Sequence, residues 1–261
     1  MPTKHAHSSS PARVPAKSRR PTRAASAKKK RSARATVFTA TARGWIARDR
    51  KYSEIFGVLQ PRGRVFTPAG DPVTLQAGSK LGYCLAQYAP HPDHVNWICV
   101  THGLSQVTLQ RGRASQIELI VNWHQPESAP ALAVLSAAAQ MMLSSGKPLT
   151  PGELITLTVP DQGPCPKHWL VAKPDESVPH KLDAGGGPFH MLLLMGISDA
   201  EMEFATKVNP ELADGRRVLL EALRAGGVYP VSDPLRLCLT RRRDFNRLWE
   251  NAFRMICEEG K

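Results

Sequence analysis

The chain has 261 residues, 42% of them hydrophobic, which is enough for a sizeable core in one large domain or two small ones. Its longest apolar run, Met191 to Met195, is far short of the roughly 20 residues that a membrane helix needs. The charged N-terminus has no apolar stretch behind it, so neither a membrane anchor nor a secretory signal is read.

The formal charge of +13 is unevenly spread. Of 35 Lys and Arg, 11 fall within residues 1–36, which hold no acid; the remaining 24 face 22 acidic residues. Residues 1–36 are Ala, Ser, Pro, Lys and Arg with little else, too little apolar surface to offset the entropy of ordering, so a disordered basic tail is expected. Five cysteines, an odd count with no Cys-x-x-Cys pair, read as reduced thiols in a cytoplasmic protein.

Residues 45–57 suit a short entry helix, and Pro61-Arg62-Gly63-Arg64 reads as a turn. Asp71 to Gly82 is polar, and Tyr83–Tyr88 is extended. Trp97–Ser105 opens on an apolar run closed by Gly103, and Ile117–Trp123 follows; both read as strands joined through the polar Gln110–Ser115. Residues 131–145 form the best helix, with Leu132, Leu135, Ala139 and Met142 on one stripe, Pro130 in its first turn and Gly146 as its cap. Leu154–Val159, Trp169–Val171 and Phe189–Met195 read as strands. Ser198 and Glu201 have capping-box spacing, so a helix starts there. Another spans about Pro210–Ala225 and closes on Gly226-Gly227. Val228–Val231 reads as an edge segment and Leu235–Thr240 as a short strand. From Asp244, a suitable cap, an amphipathic helix repeats Phe245, Leu248, Trp249, Ala252, Phe253, Ile256 and Cys257 at intervals of three and four.

Chemistry is poorly signalled. Cys84, His91, His94 and Cys99 are ligand types for zinc, but their spacing lacks a knuckle, so no metal or cofactor is expected. Cys165 with His168, and Cys99 with His102, lack a third orienting residue for a nucleophile. Gly185-Gly186-Gly187 is not followed by Lys-Ser or Lys-Thr, and no His-Glu-x-x-His, Gly-x-Ser-x-Gly or Gly-x-Gly-x-x-Gly is present. No catalytic residue is assigned, and an enzyme is not expected.

Three blocks, in order, resemble the Suppressor of fused family. The first is Trp97-Ile98-Cys99-Val100-Thr101-His102-Gly103-Leu104-Ser105. The second is Glu118-Leu119, the helix 131–145 and Gly152-Glu153. The third runs from Phe189–Gly196 through Ile197, Ser198 and Glu201 to Leu219-Leu220, Gly226-Gly227 and Ser232-Asp233-Pro234-Leu235-Arg236. The resemblance implies an α+β domain over residues 45–240: a mixed, mostly antiparallel sheet flanked by helices, with residues 241–261 as a C-terminal helix packed on it. It implies a module that binds another protein and catalyses nothing. Animal members clasp a peptide of a transcription factor between two domains; only one is read here. Single-domain bacterial members look like immunity proteins that neutralise a cognate toxin. The partner-binding positions taken from these blocks are Trp97, Thr101, His102, Asp233 and Arg236. An alternative reading is a nucleic-acid-associated protein anchored by residues 1–36.

Overall fold

The computed structural model describes residues 46–57, 59–66, 83–90, 94–109, 114–159, 164–184, 187–211 and 213–259. The basic segment 1–36, the polar stretch 71–82, His91 and Gly185-Gly186 lie outside them.

Residues 46–56 form helix α1. The strands are β1 (Leu59–Phe66), β2 (Cys84–Tyr88), β3 (Trp97–His102), β4 (Ile117–Trp123), β5 (Leu154–Thr156), β6 (His168–Ala172), β7 (Lys181–Asp183) and β8 (Pro188–Ile197). Four more helices follow the same numbering: α2 (Ala129–Ser145), α3 (Asp199–Lys207), α4 (Gly215–Ala225) and α5 (Phe245–Glu259). The strands build a sheet in the order β1-β2-β3-β4-β8-β6-β5, with β7 paired to the start of β8. Every pairing is antiparallel except β4 with β8, which run parallel with Ile117 opposite His190.

β8 is the ten-residue spine of this sheet, and its alternation divides the core. Leu192 and Leu194 face one side, where Leu119, Val121, Trp169 and Val171 meet α2. Met191 and Leu193 face the other side, against Tyr52 and Phe56 of α1. Met195 and Ile197 continue that second face into a cluster with α3, α4 and α5. The result is a sheet with helices on both faces.

The helices obey their local signals. α2 has Pro in its first turn and ends on Gly146, whose φ of 65° is left-handed and whose N–H reaches Met142 O. α3 carries the full capping box, Ser198 Oγ accepting from Glu201 N and Glu201 returning to Ser198 N. α5 buries Phe245, Leu248, Ala252 and Ile256 beside α4.

Several expectations are corrected. The expected turn at Pro61–Arg64 lies inside β1, where the register with β2 shifts between Leu59 and Arg64; a bulge accommodates the Pro-Arg-Gly sequence without ending the strand. The strand expected over 154–159 stops at Thr156. β7 was not foreseen, because Lys-Leu-Asp offers a single apolar residue. α4 begins at Gly215, not near Pro210, with Asp214 accepting from Arg216 N. Gly215 is required there: a Cβ would lie 2.1 Å from the Ala205 carbonyl oxygen. Asp244 does stand directly before α5, its carbonyl accepting from Leu248 N at 3.0 Å, and its carboxylate also accepts from Arg242 at 3.0 and 2.9 Å. Leu235–Thr240 is not a strand; its end, Leu239–Arg241, is a 3-10 turn, and Arg236 is drawn inward by an acid described below.

The turn after β3 is held by one buried carboxylate. Glu118, fully buried on β4, accepts from Thr101 Oγ1 at 2.7 Å, Gly103 N at 3.0 Å, Leu104 N at 3.2 Å, Ser105 N at 3.1 Å and Ser105 Oγ at 2.7 Å. Glu118→Gln converts one acceptor into an NH2 group that faces donors, so it is expected to cost about 3 kcal/mol in urea unfolding. A variant within about 1 kcal/mol of wild type would refute the central place given to this contact.

Candidate functional site

The five positions singled out above do not share one surface. Trp97, half-buried at the start of β3, donates its indole N–H to Pro126 O at 3.1 Å. Thr101 and His102 are fully buried. Thr101 serves Glu118 and accepts from Leu119 N at 2.8 Å. His102 sets Nε2 at 2.9 Å from Asp49 Oδ1 and its ring edge-on to Tyr52. Only Asp233 and Arg236 come together, along one cleft.

That cleft has a volume of about 730 Å³. Its walls are Pro164–Lys167 before β6, Gly196–Ala200 at the junction of β8 with α3, and Asp233–Cys238 with Arg241. Gly196 lets two walls approach, since a Cβ there would sit 2.7 Å from Pro166 Cγ. Ser232 Oγ accepts from Gly196 N at 2.9 Å, tying the third wall across the end of β8. Asp233 Oδ1 accepts from Gln125 Nε2 at 2.7 Å and from Leu235 N at 2.9 Å.

Arg236 locks the third wall in place. Its Nη1 and Nη2 donate to Glu201 Oε1 and Oε2 at 2.6 and 2.5 Å, a two-pronged pair with a fully buried carboxylate. Leu239 N adds a third donor at 2.7 Å. Burial by itself would raise the Glu201 pKa; the Arg236 hydrogen bonds and charge, with the Ser198 and Leu239 N–H groups, outweigh it and hold the carboxyl below its ordinary value. With Arg236 turned in, Leu235 and Leu237 on either side turn out, 67% and 61% exposed. Lys167 and Arg241 line the same cleft and enter no ion pair among the described residues.

The chemistry on offer is apolar contact with charged flanks. Burial pushes the Cys165 thiol up to about 11, so it stays protonated at neutral pH and is not poised as a nucleophile. His168, three residues further on, meets Thr156 Oγ1 at 2.9 Å and Asp199 Oδ1 at 3.4 Å. Cys99 packs on the α2 side of the sheet while His102 meets Tyr52 of α1 on the opposite side, so they form no pair. His94 directs its ring nitrogens at Phe56 O and Asn96 O, at 2.8 and 3.1 Å. Among the described residues, no three His, Cys, Asp or Glu side chains gather to hold a metal.

Sequence reasoning reached the Ser198–Glu201 box but missed the Glu201–Arg236 pair and the two leucines. The available signal was the pattern Leu235-Arg236-Leu237, an alternation that separates one inward charge from two outward apolar groups.

The sequence profile of the family described as "Suppressor of fused protein (SUFU)" matches residues 79–237. No curated protein matches the chain. Among solved structures it is similar to a chain of "the Sufu-Fu complex crystal structure", with 18% identity, a TM-score of 0.55, and coverage of 82% of this chain and 96% of that one. It is also similar to Drosophila Suppressor of Fused, at 19% identity and a TM-score of 0.57 over 83% of this chain. It spans 54% of that protein's chain, about half its length.

The lowered Glu201 pKa fixes the sign of a pH effect. A carboxyl held below its unfolded value of 4.5 adds stability that is complete above that value and is lost as pH falls through the folded one. Urea unfolding should therefore show a loss of stability below pH 4.5 that shrinks in Glu201→Gln. Arg236→Met, which strands a buried charge, is expected to cost about 3 to 5 kcal/mol at pH 7. An unchanged acid limb in Glu201→Gln would refute this assignment.

Proposed function

The chain belongs to the Suppressor of fused family, and we propose that it works as an immunity protein, a non-catalytic module that neutralises a cognate toxin by holding it in the cleft beside Arg236. Membership supports the binding class, since this is a family of protein interaction. The observation that carries the choice of surface is the exposure of Leu235 and Leu237 on this cleft, 67% and 61%. Large apolar side chains side by side at a concave surface mark protein contact more often than scattered ones do. Lys167 and Arg241 at the margin supply polar contacts around them.

Co-expression with the product of the adjacent gene tests this reading. That product should be toxic alone, harmless with this chain, and recovered bound to it. Leu235→Asp with Leu237→Asp should weaken binding by about 30-fold, the effect of a central interface anchor, and leave the melting temperature unchanged. Equal toxicity with and without this chain, or none at all, refutes the immunity role. Binding unaffected by the leucine changes refutes the choice of cleft.

A second reading rests on the 11 Lys and Arg, with no acid, in residues 1–36: an electrostatic arm for nucleic acid. Neutralised phosphates release counterions, so such binding falls steeply with salt. Deleting residues 1–36 should then abolish salt-sensitive binding to duplex DNA, measured at 50 and about 200 mM salt. Protection against the toxin should survive the deletion. DNA binding that is weak, and equal in both proteins, ends this reading.

A further inference from the structure

A separate cavity of about 300 Å³ lies at the opposite end of β8, roughly 26 Å from the cleft by the rise of an extended strand. Arg48, Ser105, Gln106, Gln116 and Pro188 are among its lining residues. Arg48 comes from α1, and Ser105 and Gln106 from the turn that Glu118 holds. Gln116 precedes β4 and sits at a φ of 54°, a left-handed conformation unusual for a residue with a side chain.

Arg48 is only 1% exposed, yet neither Nε nor Nη1 has a hydrogen-bond partner. It enters no ion pair among the described residues. Its Cζ lies 5.1 Å from the centroid of the Phe189 ring, a contact that offers a π face and no anion. Glu118 does not fill this role, because its oxygens are taken by five neutral donors of the 101–105 segment. A buried cation that no carboxylate contacts directly is a costly group for a fold to hold. Gln106 Oε1, on the wall of the same cavity, is likewise buried without a donor. Arg48, with two unpaired donor nitrogens, and Gln106, with an unpaired acceptor, thus both line one space large enough for a small ligand. Unsatisfied buried groups of this kind require an explanation, and a bound ion supplies one.

We propose that this cavity is a phosphate-binding site. The guanidinium of Arg48 grips phosphate oxygens through its planar fork, and Gln106 Oε1 accepts from a hydroxyl, either the P–OH of the free ion or a hydroxyl of a small phosphate monoester. Sulfate, fully deprotonated at neutral pH, satisfies Arg48 but leaves Gln106 unmet. The site stands apart from the protein-binding cleft and does not depend on it.

Thermal unfolding of the full chain at constant ionic strength tests the proposal, with inorganic phosphate, glycerol 3-phosphate, sulfate and acetate as separate additions. Wild type should show a saturable rise of about 3 °C or more at ten times the dissociation constant, with phosphate above sulfate. Arg48→Met keeps the stem over Phe189 and should lose the shift, even though the basic residues 1–36 are still present. Gln106→Leu retains the cation and should bind phosphate at least several-fold more weakly, which keeps the test decisive if Arg48→Met misfolds. A larger response to glycerol 3-phosphate assigns a monoester; a response to inorganic phosphate alone assigns the free ion. An equal shift in Arg48→Met and wild type, a shift with acetate alone, or no shift in wild type at about 10 times physiological phosphate overturns the proposal.

Discussion

A single acid, Glu118, determines how the first half of the sheet is closed. The ladder between β3 and β4 runs from Trp97 opposite Trp123 to Val100 opposite Ile120. Past that point, side chains replace strand pairing. Glu118 gathers Thr101, Gly103, Leu104 and Ser105, and Thr101 passes the contact on to Leu119 N. Ser115 Oγ closes the network on Leu104 O at 2.6 Å. Three backbone N–H groups in a tight turn would otherwise be buried without acceptors. One carboxylate satisfies all of them because it accepts at both oxygens. The position of Gln106, and hence the shape of the cavity under Arg48, follows from where this turn is held.

A different solution serves the far end of the sheet. There the buried carboxylate, Glu201, is met by a full positive charge from Arg236 as well as by backbone donors. The pair joins α3 to a segment with no regular structure, so the 233–238 wall is fixed without helix or strand. It also decides which way the neighbouring side chains point. The candidate binding surface is thus a by-product of an internal ion pair: the leucines face water because the arginine cannot.

Much of this architecture was legible beforehand, and the reasons are local. Runs such as Ile117–Trp123 and Phe189–Met195 are apolar enough to be strands in nearly any setting, and Pro130 with Gly146 brackets α2 by backbone conformation alone. The capping box at Ser198 needs only two side chains three positions apart. Features that escaped notice depend on partners distant in sequence. β7 exists because β8 is there to receive it, with Leu182 opposite Phe189. Gly215 starts α4 because Ala205 O is close by. Thr101 and His102 stood in the most recognisable stretch of the chain, yet that stretch is internal support. Its buried acid partner, Glu118, was noted as a strand residue with no role assigned. Arg48 carried no pattern at all; only its burial without a partner sets it apart.

The parallel seam between β4 and β8 has a temporal consequence. Ile117 and His190, neighbours across the sheet, are separated by all of α2, β5, β6 and β7. Closing so long a loop costs entropy before any contact is gained. On a ribosome, β2, β3 and β4 emerge well before the strand that covers the flank of β4. For that interval the nascent chain carries an open, strongly apolar margin with only α2 at hand to shield one face. Crowded synthesis of this protein therefore exposes it to intermolecular sticking at one defined place, and a holding chaperone would have its greatest effect there.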